Sequence, residues 1–121
     1  MQKLFEIEFT GKIPSKKNSK RIFRGMLLSS KEYLAWEKEW VIRSRIATKL
    51  RNIGYSVKLE YIFNKLDERK FDMSNKIESV NDMLIKAGII KDDNAWIISE
   101  TTSKFTNEKS KILCILRVYE L

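Results

Sequence analysis

The alternation of apolar and polar side chains opens the chain with a strand. Phe5, Ile7 and Phe9 fall on one face of residues 4–9 and Glu6 and Glu8 on the other, the two-residue period of a strand with one buried side. Gly11 and Pro14 end it. A helical period takes over after Ser29, which forms a capping box with Glu32. Tyr33, Trp36, Trp40, Ala47 and Leu50 then trace one stripe of a helix reaching about residue 50, flanked by Ile46. By spacing, Arg43 projects into the middle of that stripe, where an arginine either snorkels past the tryptophans, the favoured reading, or reaches a polar site. The tryptophans themselves read as core against a sheet rather than as a base-stacking platform.

Asn52 and Gly54 close the helix, and Val57, Leu59, Tyr61 and Phe63 alternate with Lys58, Glu60 and Asn64 as a second strand. Asp72 or Ser74 is placed to cap a second helix running to about residue 87, which Gly88 ends. Met73, Ile77, Val80, Leu84 and Ala87 form its apolar stripe, while Asn75, Glu78 and Asp82 share roughly the opposite face, one that solvent would normally wet. A third strand covers 96–105. The last, over 111–119, is apolar on both faces through Ile112, Leu113, Cys114, Ile115 and Leu116, which predicts a central position and a hairpin with the third across 106–109. The expected fold is a single α/β (α+β) domain: a mixed sheet of about four strands with two main helices, in the order β-α-β-α-β-β.

Composition narrows the chemistry. The 121 residues suffice for one domain with its own core, and 43% hydrophobic with 33% charged residues is ordinary for a soluble protein. No apolar run approaches the roughly 20 residues needed to span a bilayer, and the alternating start lacks the layout of a signal peptide. The expectation is a cytoplasmic protein without membrane contact or a small-molecule cofactor. The single Cys114 reads as a buried, inert thiol. The absence of histidine removes the commonest general base, the usual zinc ligand and every Ser-His or Cys-His scheme, leaving carboxylates, lysines or metal-bound water.

The net charge of +8 predicts attraction to polyanions, and its distribution sharpens that expectation. Lys12, Lys16, Lys17, Lys20, Arg21 and Arg24 crowd into one segment, and no acid intervenes between Glu8 and Glu32. With Ser15, Asn18 and Ser19 among them, these cations read as a phosphate-gripping loop. Asp72 and the pair Asp92-Asp93 are the candidate reactive groups. Carboxylates at a helix start and just past its end can converge when the helix lies on a sheet, and without cysteine or histidine they suit a hard cation such as Mg²⁺. A turn reading of Asp92-Asp93-Asn94 stands beside this one.

Taken in order, Gly11-x-Ile13-Pro14-Ser15-Lys16-Lys17-Asn18 after a strand, Asp72-Met73-Ser74-Asn75 at a helix start, Asp82, Ala87-Gly88 and Asp92-Asp93 resemble the RusA-type Holliday junction resolvases, a family often carried by phages and prophages. The resemblance implies a homodimeric endonuclease that binds four-way DNA junctions and, with Mg²⁺ or Mn²⁺ in its place, resolves them by paired nicks. It places the first essential aspartate on Asp72 and the acidic pair on Asp92 and Asp93, with Asp93 the catalytic member. The family's second aspartate, its asparagine and its lysine fall on Ser74, Asn75 and Glu78, so only the asparagine matches. The resemblance then implies metal ligands among Asp72, Ser74, Asn75, Glu78, Asp92 and Asp93, with Lys76, Lys70 or Lys91 as sources of a cation. Lys12, Lys16, Lys17, Asn18, Lys20, Arg21, Arg24 and Arg43 are the expected DNA contacts, with Arg45 a further one. The rival expectation is a junction-binding protein of the same fold with weak or no catalysis, and a third is a protein-interaction domain whose basic face meets an acidic partner.

Overall fold

In the computed structural model, which describes residues 1–15, 20–23, 26–65 and 72–121, the chain runs β1 (Gln2–Phe9), β2 (Lys20–Phe23), β3 (Met26–Ser29), α1 (Lys31–Thr48), β4 (Val57–Asn64), α2 (Met73–Lys86), β5 (Ile98–Thr106) and β6 (Cys114–Glu120). β1, β6, β4 and β5 form one mixed sheet in that order, and β2 pairs antiparallel with β3 in a separate hairpin. The α/β class with a four-stranded sheet and two helices is the expected one. The hairpin is additional, lying within what the charge pattern presented as a basic loop.

The core follows from the alternation. Phe5, Ile7 and Phe9 of β1, Leu59, Tyr61 and Phe63 of β4 and Leu116 and Val118 of β6 are buried together with Tyr33, Trp36 and Trp40 of α1 and Val80, Met83 and Leu84 of α2. Phe9 sits 4.6 Å from the Trp40 ring and 6.3 Å from that of Trp36, so β1 and α1 close over one aromatic cluster. Past Trp40 the buried side of α1 continues through Ser44 and Thr48, not through Ala47, which is exposed. Ser44 Oγ lies 3.5 Å from Met83 Sδ, so a small polar residue fits where the two helices meet.

Two expectations about the strands are corrected. β6 is central, between β1 and β4 and antiparallel to both, but it makes no hairpin with β5. β5 pairs parallel with β4 instead, because α2 carries the chain back along the sheet before β5 begins. β5 also starts at Ile98 rather than residue 96, since the Ile97 and Ile98 amides both turn back onto the Asn94 carbonyl, at 3.1 and 2.9 Å.

Helix ends shift by a residue or two for local reasons. Ser30, not Ser29, caps α1, accepting from the Tyr33 amide at 3.1 Å, because Ser29 belongs to β3. α1 stops at Thr48 with Lys49 in the left-handed region, φ 55°. Asp72 caps α2, and Gly88 turns the chain out of it at φ 72°, a conformation glycine takes without strain. The residues that follow are held at the far end of the sheet, where the Asn52 and Ile53 amides donate to the Gly88 and Ile89 carbonyls at 2.7 and 2.9 Å.

Candidate functional site

The first turn of α2 is the best-defined polar locus at one end of the sheet. Asp72 is exposed, and its Oδ1 accepts from the Ser74 amide at 2.9 Å and from the Ser74 hydroxyl at 2.6 Å. Ser74, standing where the resemblance implies a second aspartate, thus orients the Asp72 carboxylate. A short way along, two side chains reach back to the segment after β1. Lys76 is buried and donates from Nζ to the Ile13 carbonyl at 3.0 Å, and Ser79 Oγ donates to the Pro14 carbonyl at 2.7 Å. These bonds fasten the start of the basic segment to the helix that carries Asp72. Lys12, exposed, comes just before the anchored residues.

Asp92 and Asp93 are also exposed, and of the Asp-Asp-Asn triplet it is Asn94 that leads into a turn, over residues 95–97. Asp92 Oδ1 accepts from the Asp93 amide at 2.8 Å and its Oδ2 from the Asn94 side chain at 3.2 Å, while Asn94 Oδ1 accepts from the Trp96 amide at 3.0 Å. The expected convergence of this pair with Asp72 inside one chain is corrected by the topology. Asp72 lies where β4 ends and Asp92-Asp93 where β5 begins, with the 14 residues of α2 between them. A helix of that length spans roughly 21 Å. Among the described residues, no three histidine, cysteine, aspartate or glutamate side chains stand together as a metal site. The described residues of a single chain therefore do not fit the implied ion, although their donors are the hard oxygens Mg²⁺ prefers.

Other expected site residues divide by role. Asn75 is half-buried and its carbonyl accepts from Ser79 at 3.1 Å. Glu78 is exposed, and with Asp82 its charge reaches Tyr33 on α1, so the acidic side of α2 flanks the first helix instead of facing only water. Burial chiefly, then Glu37, holds the Tyr33 hydroxyl well above its usual range; that hydroxyl donates to Glu37 Oε2 at 3.1 Å, and Glu37 Oε1 meets Lys86 Nζ at 3.3 Å. Arg43 snorkels past the tryptophans as expected: its guanidinium lies 5.2 Å from the Trp40 ring centroid and pairs with Glu39 at 2.9 Å in the open. Arg45 is engaged elsewhere: its Nε donates to the Ala87 carbonyl at 2.8 Å and so caps the end of α2. Lys20 and Arg21 lie on β2, while Lys16, Lys17, Asn18, Arg24 and Lys70 lie outside the described residues.

The anchors Lys76 and Ser79 escaped the sequence reading. Their signal is spacing: 76, 80, 83 and 87 follow the helical period as well as 73, 77, 80 and 84 do, which puts a lysine on the buried side.

Comparison with known proteins bears on what these elements do. No family model matches the chain. Among curated proteins, it is 26% identical over 118 residues to the crossover junction endodeoxyribonuclease RusA of Aquifex aeolicus (strain VF5), covering 95% of this chain and 94% of that protein. The similarity extends over nearly all of the chain and takes in both α2 termini and the basic segment, not one isolated motif. No helix among its described residues is long and apolar enough to cross a membrane.

Proposed function

We propose that this RusA-like chain is a structure-specific endodeoxyribonuclease that binds four-way DNA junctions and resolves them by paired symmetric nicks. One observation carries the reading: the reactive candidate Asp72 and the start of the basic segment, at Ile13 and Pro14, are tied to the same end of α2 through Lys76 and Ser79. A carboxylate beside a phosphate-gripping strip is the arrangement phosphodiester chemistry needs. The similarity along nearly the whole chain to a protein named for crossover junction cleavage supports that substrate class.

The function requires a homodimer on two grounds. Paired nicks on opposing strands need two sites related by a two-fold axis. The acids also stand at opposite ends of one chain, so a complete set combines Asp72, with Ser74, Asn75 and Glu78, from one protomer and the partner's Asp92 and Asp93. Held there, Mg²⁺, or Mn²⁺ in its place, would supply an activated water and neutralise charge developing on the phosphate. This chain's own contribution is to aim Asp72 through Ser74 and to bring the Lys12 to Arg24 cations onto the backbone around the cut.

A rival reading is junction binding with weak or no cleavage, favoured by the engagement of Asp72 Oδ1 as a helix cap. Incubating a labelled four-way junction with Mg²⁺, beside an Asp72→Asn protein, separates the two: nicking by the wild type alone supports the nuclease, and binding without cleavage by both supports the rival. Contact by about six cations gives a log-affinity against log-salt slope of roughly −5. Equal affinity for junction and linear duplex would overturn both readings and favour a basic domain that meets an acidic protein partner.

A further inference from the structure

Two of the three tryptophans, Trp36 and Trp40, are 7% and 4% exposed, whereas Trp96 is 82% exposed. So large a ring left in water forgoes one of the largest burials a side chain can make. Its backbone, by contrast, is fixed. The Trp96 amide donates to Asn94 Oδ1 at 3.0 Å, its carbonyl accepts from Ser56 Oγ at 3.0 Å, and the carbonyl of the buried Ile97 beside it accepts from the Val57 amide at 2.7 Å. A second exposed aromatic, Tyr55 at 44%, directly precedes Ser56.

The same bonds set where the ring stands relative to the acids. The Asn94 side chain that accepts from the Trp96 amide also donates to Asp92 Oδ2 at 3.2 Å, so one residue ties the backbone of the ring to a carboxylate of the proposed reaction site. Lys91, exposed, adds a cation from the other side of Asp92. A bare aromatic face with a cation in the same loop, on a chain of net charge +8, is the chemistry that takes a nucleobase and its phosphate. Continuous duplex has little to give such a ring, because both faces of every internal base are already stacked. A branch point interrupts the stack and presents a free face.

We infer that Trp96 is a base-stacking platform that covers a nucleobase freed from its neighbour at a DNA branch point, and that this contact separates branched DNA from continuous duplex. The contact presupposes the junction reading proposed above and adds to it a determinant of substrate choice. Charge cannot make that distinction by itself, since phosphates line both kinds of DNA.

Tryptophan fluorescence reads the ring directly. The protein is titrated with a synthetic four-way junction and with continuous duplex of equal length, Ca²⁺ replacing Mg²⁺ to keep the DNA intact, while anisotropy of labelled DNA gives the affinities. Acrylamide reaches Trp96 ahead of the buried Trp36 and Trp40 and so isolates its emission. The junction quenches that emission and shields it from acrylamide, and the duplex does neither. Trp96→Phe removes the fluorescence response yet keeps junction affinity within about threefold, whereas Trp96→Ala weakens junction binding about tenfold and leaves duplex binding unchanged. Circular dichroism confirms that both variants are folded. Junction binding that leaves Trp96 emission and acrylamide access unaltered, or a Trp96→Ala protein that loses junction and duplex affinity alike, overturns the platform and leaves the nuclease reading standing. A wild type that binds junction no better than duplex overturns the junction reading and the platform with it.

Discussion

Asp72 has one observed role, as N-cap, and one proposed role, as metal ligand, and a pair of substitutions pulls them apart. As N-cap, it needs only an oxygen that accepts from Ser74, at 2.9 and 2.6 Å; as the proposed ligand, it would need a negative charge. Asparagine keeps the first and loses the second, whereas alanine loses both. Asparagine and aspartate cap about equally well, so Asp72→Asn should stay within about 0.5 kcal/mol of the wild type, while Asp72→Ala costs about 1 kcal/mol. For a chain of this size the latter is a fall of roughly 3–6 °C in Tm. Nicking of a labelled four-way junction in Mg²⁺ should drop in both variants by roughly a thousandfold, the several kcal/mol of charge stabilisation that a mispositioned ion forfeits. The assays are thermal unfolding by circular dichroism and single-turnover cleavage at saturating protein. An Asp72→Asn protein that cuts at the wild-type rate refutes the catalytic role. Equal Tm values for the asparagine and alanine variants refute the cap.

Three further outcomes test the surrounding scaffold. Ser79→Ala removes the 2.7 Å bond to the Pro14 carbonyl, destabilises by about 1–2 kcal/mol and lowers junction affinity several-fold at fixed salt; lost stability with unchanged affinity sinks the anchoring role. Arg45→Met strips the Ala87 carbonyl of its 2.8 Å donor and lowers urea stability by about 1 kcal/mol, and no change would show that solvent caps α2 equally well. Glu6 accepts from Arg117 at 2.7 Å, and that bond holds its carboxyl below the ordinary value of 4.5. Its contribution is therefore full above that value and lost as pH falls through the lower folded value. Glu6→Gln should flatten the acid side of the stability curve by no more than about 1 kcal/mol, since both groups are partly exposed, and a steeper acid limb would contradict the assignment.

What the sequence made legible was whatever a local period encodes. β1, β4 and the centrality of β6 follow from alternation and from an apolar run on both faces, because burial on one side or two leaves those patterns directly. The β2 and β3 hairpin was masked because six cations in the segment signal phosphate contact more loudly than its short strands signal pairing. The pairing of β5 was misread for a different reason. Adjacency along the chain favours a hairpin with β6, yet the crossover through α2 had already committed β5 to lie parallel to β4.

The same crossover explains why the site was only half legible. A β-α-β connection necessarily sets the start of its helix at one end of the sheet and the residues after the helix at the other, so residues about twenty apart around α2 are far apart in one molecule. Sequence spacing names Asp72, Asp92 and Asp93 as chemically alike but is silent on which copy of the chain supplies each. On the proposed nuclease reading, a second copy would have to supply the acids that one chain holds at the opposite end of its sheet. If that reading holds, cleavage of a labelled four-way junction should rise with the square of protein concentration at dilute protein, and a rate linear in concentration throughout would refute a site divided between two copies.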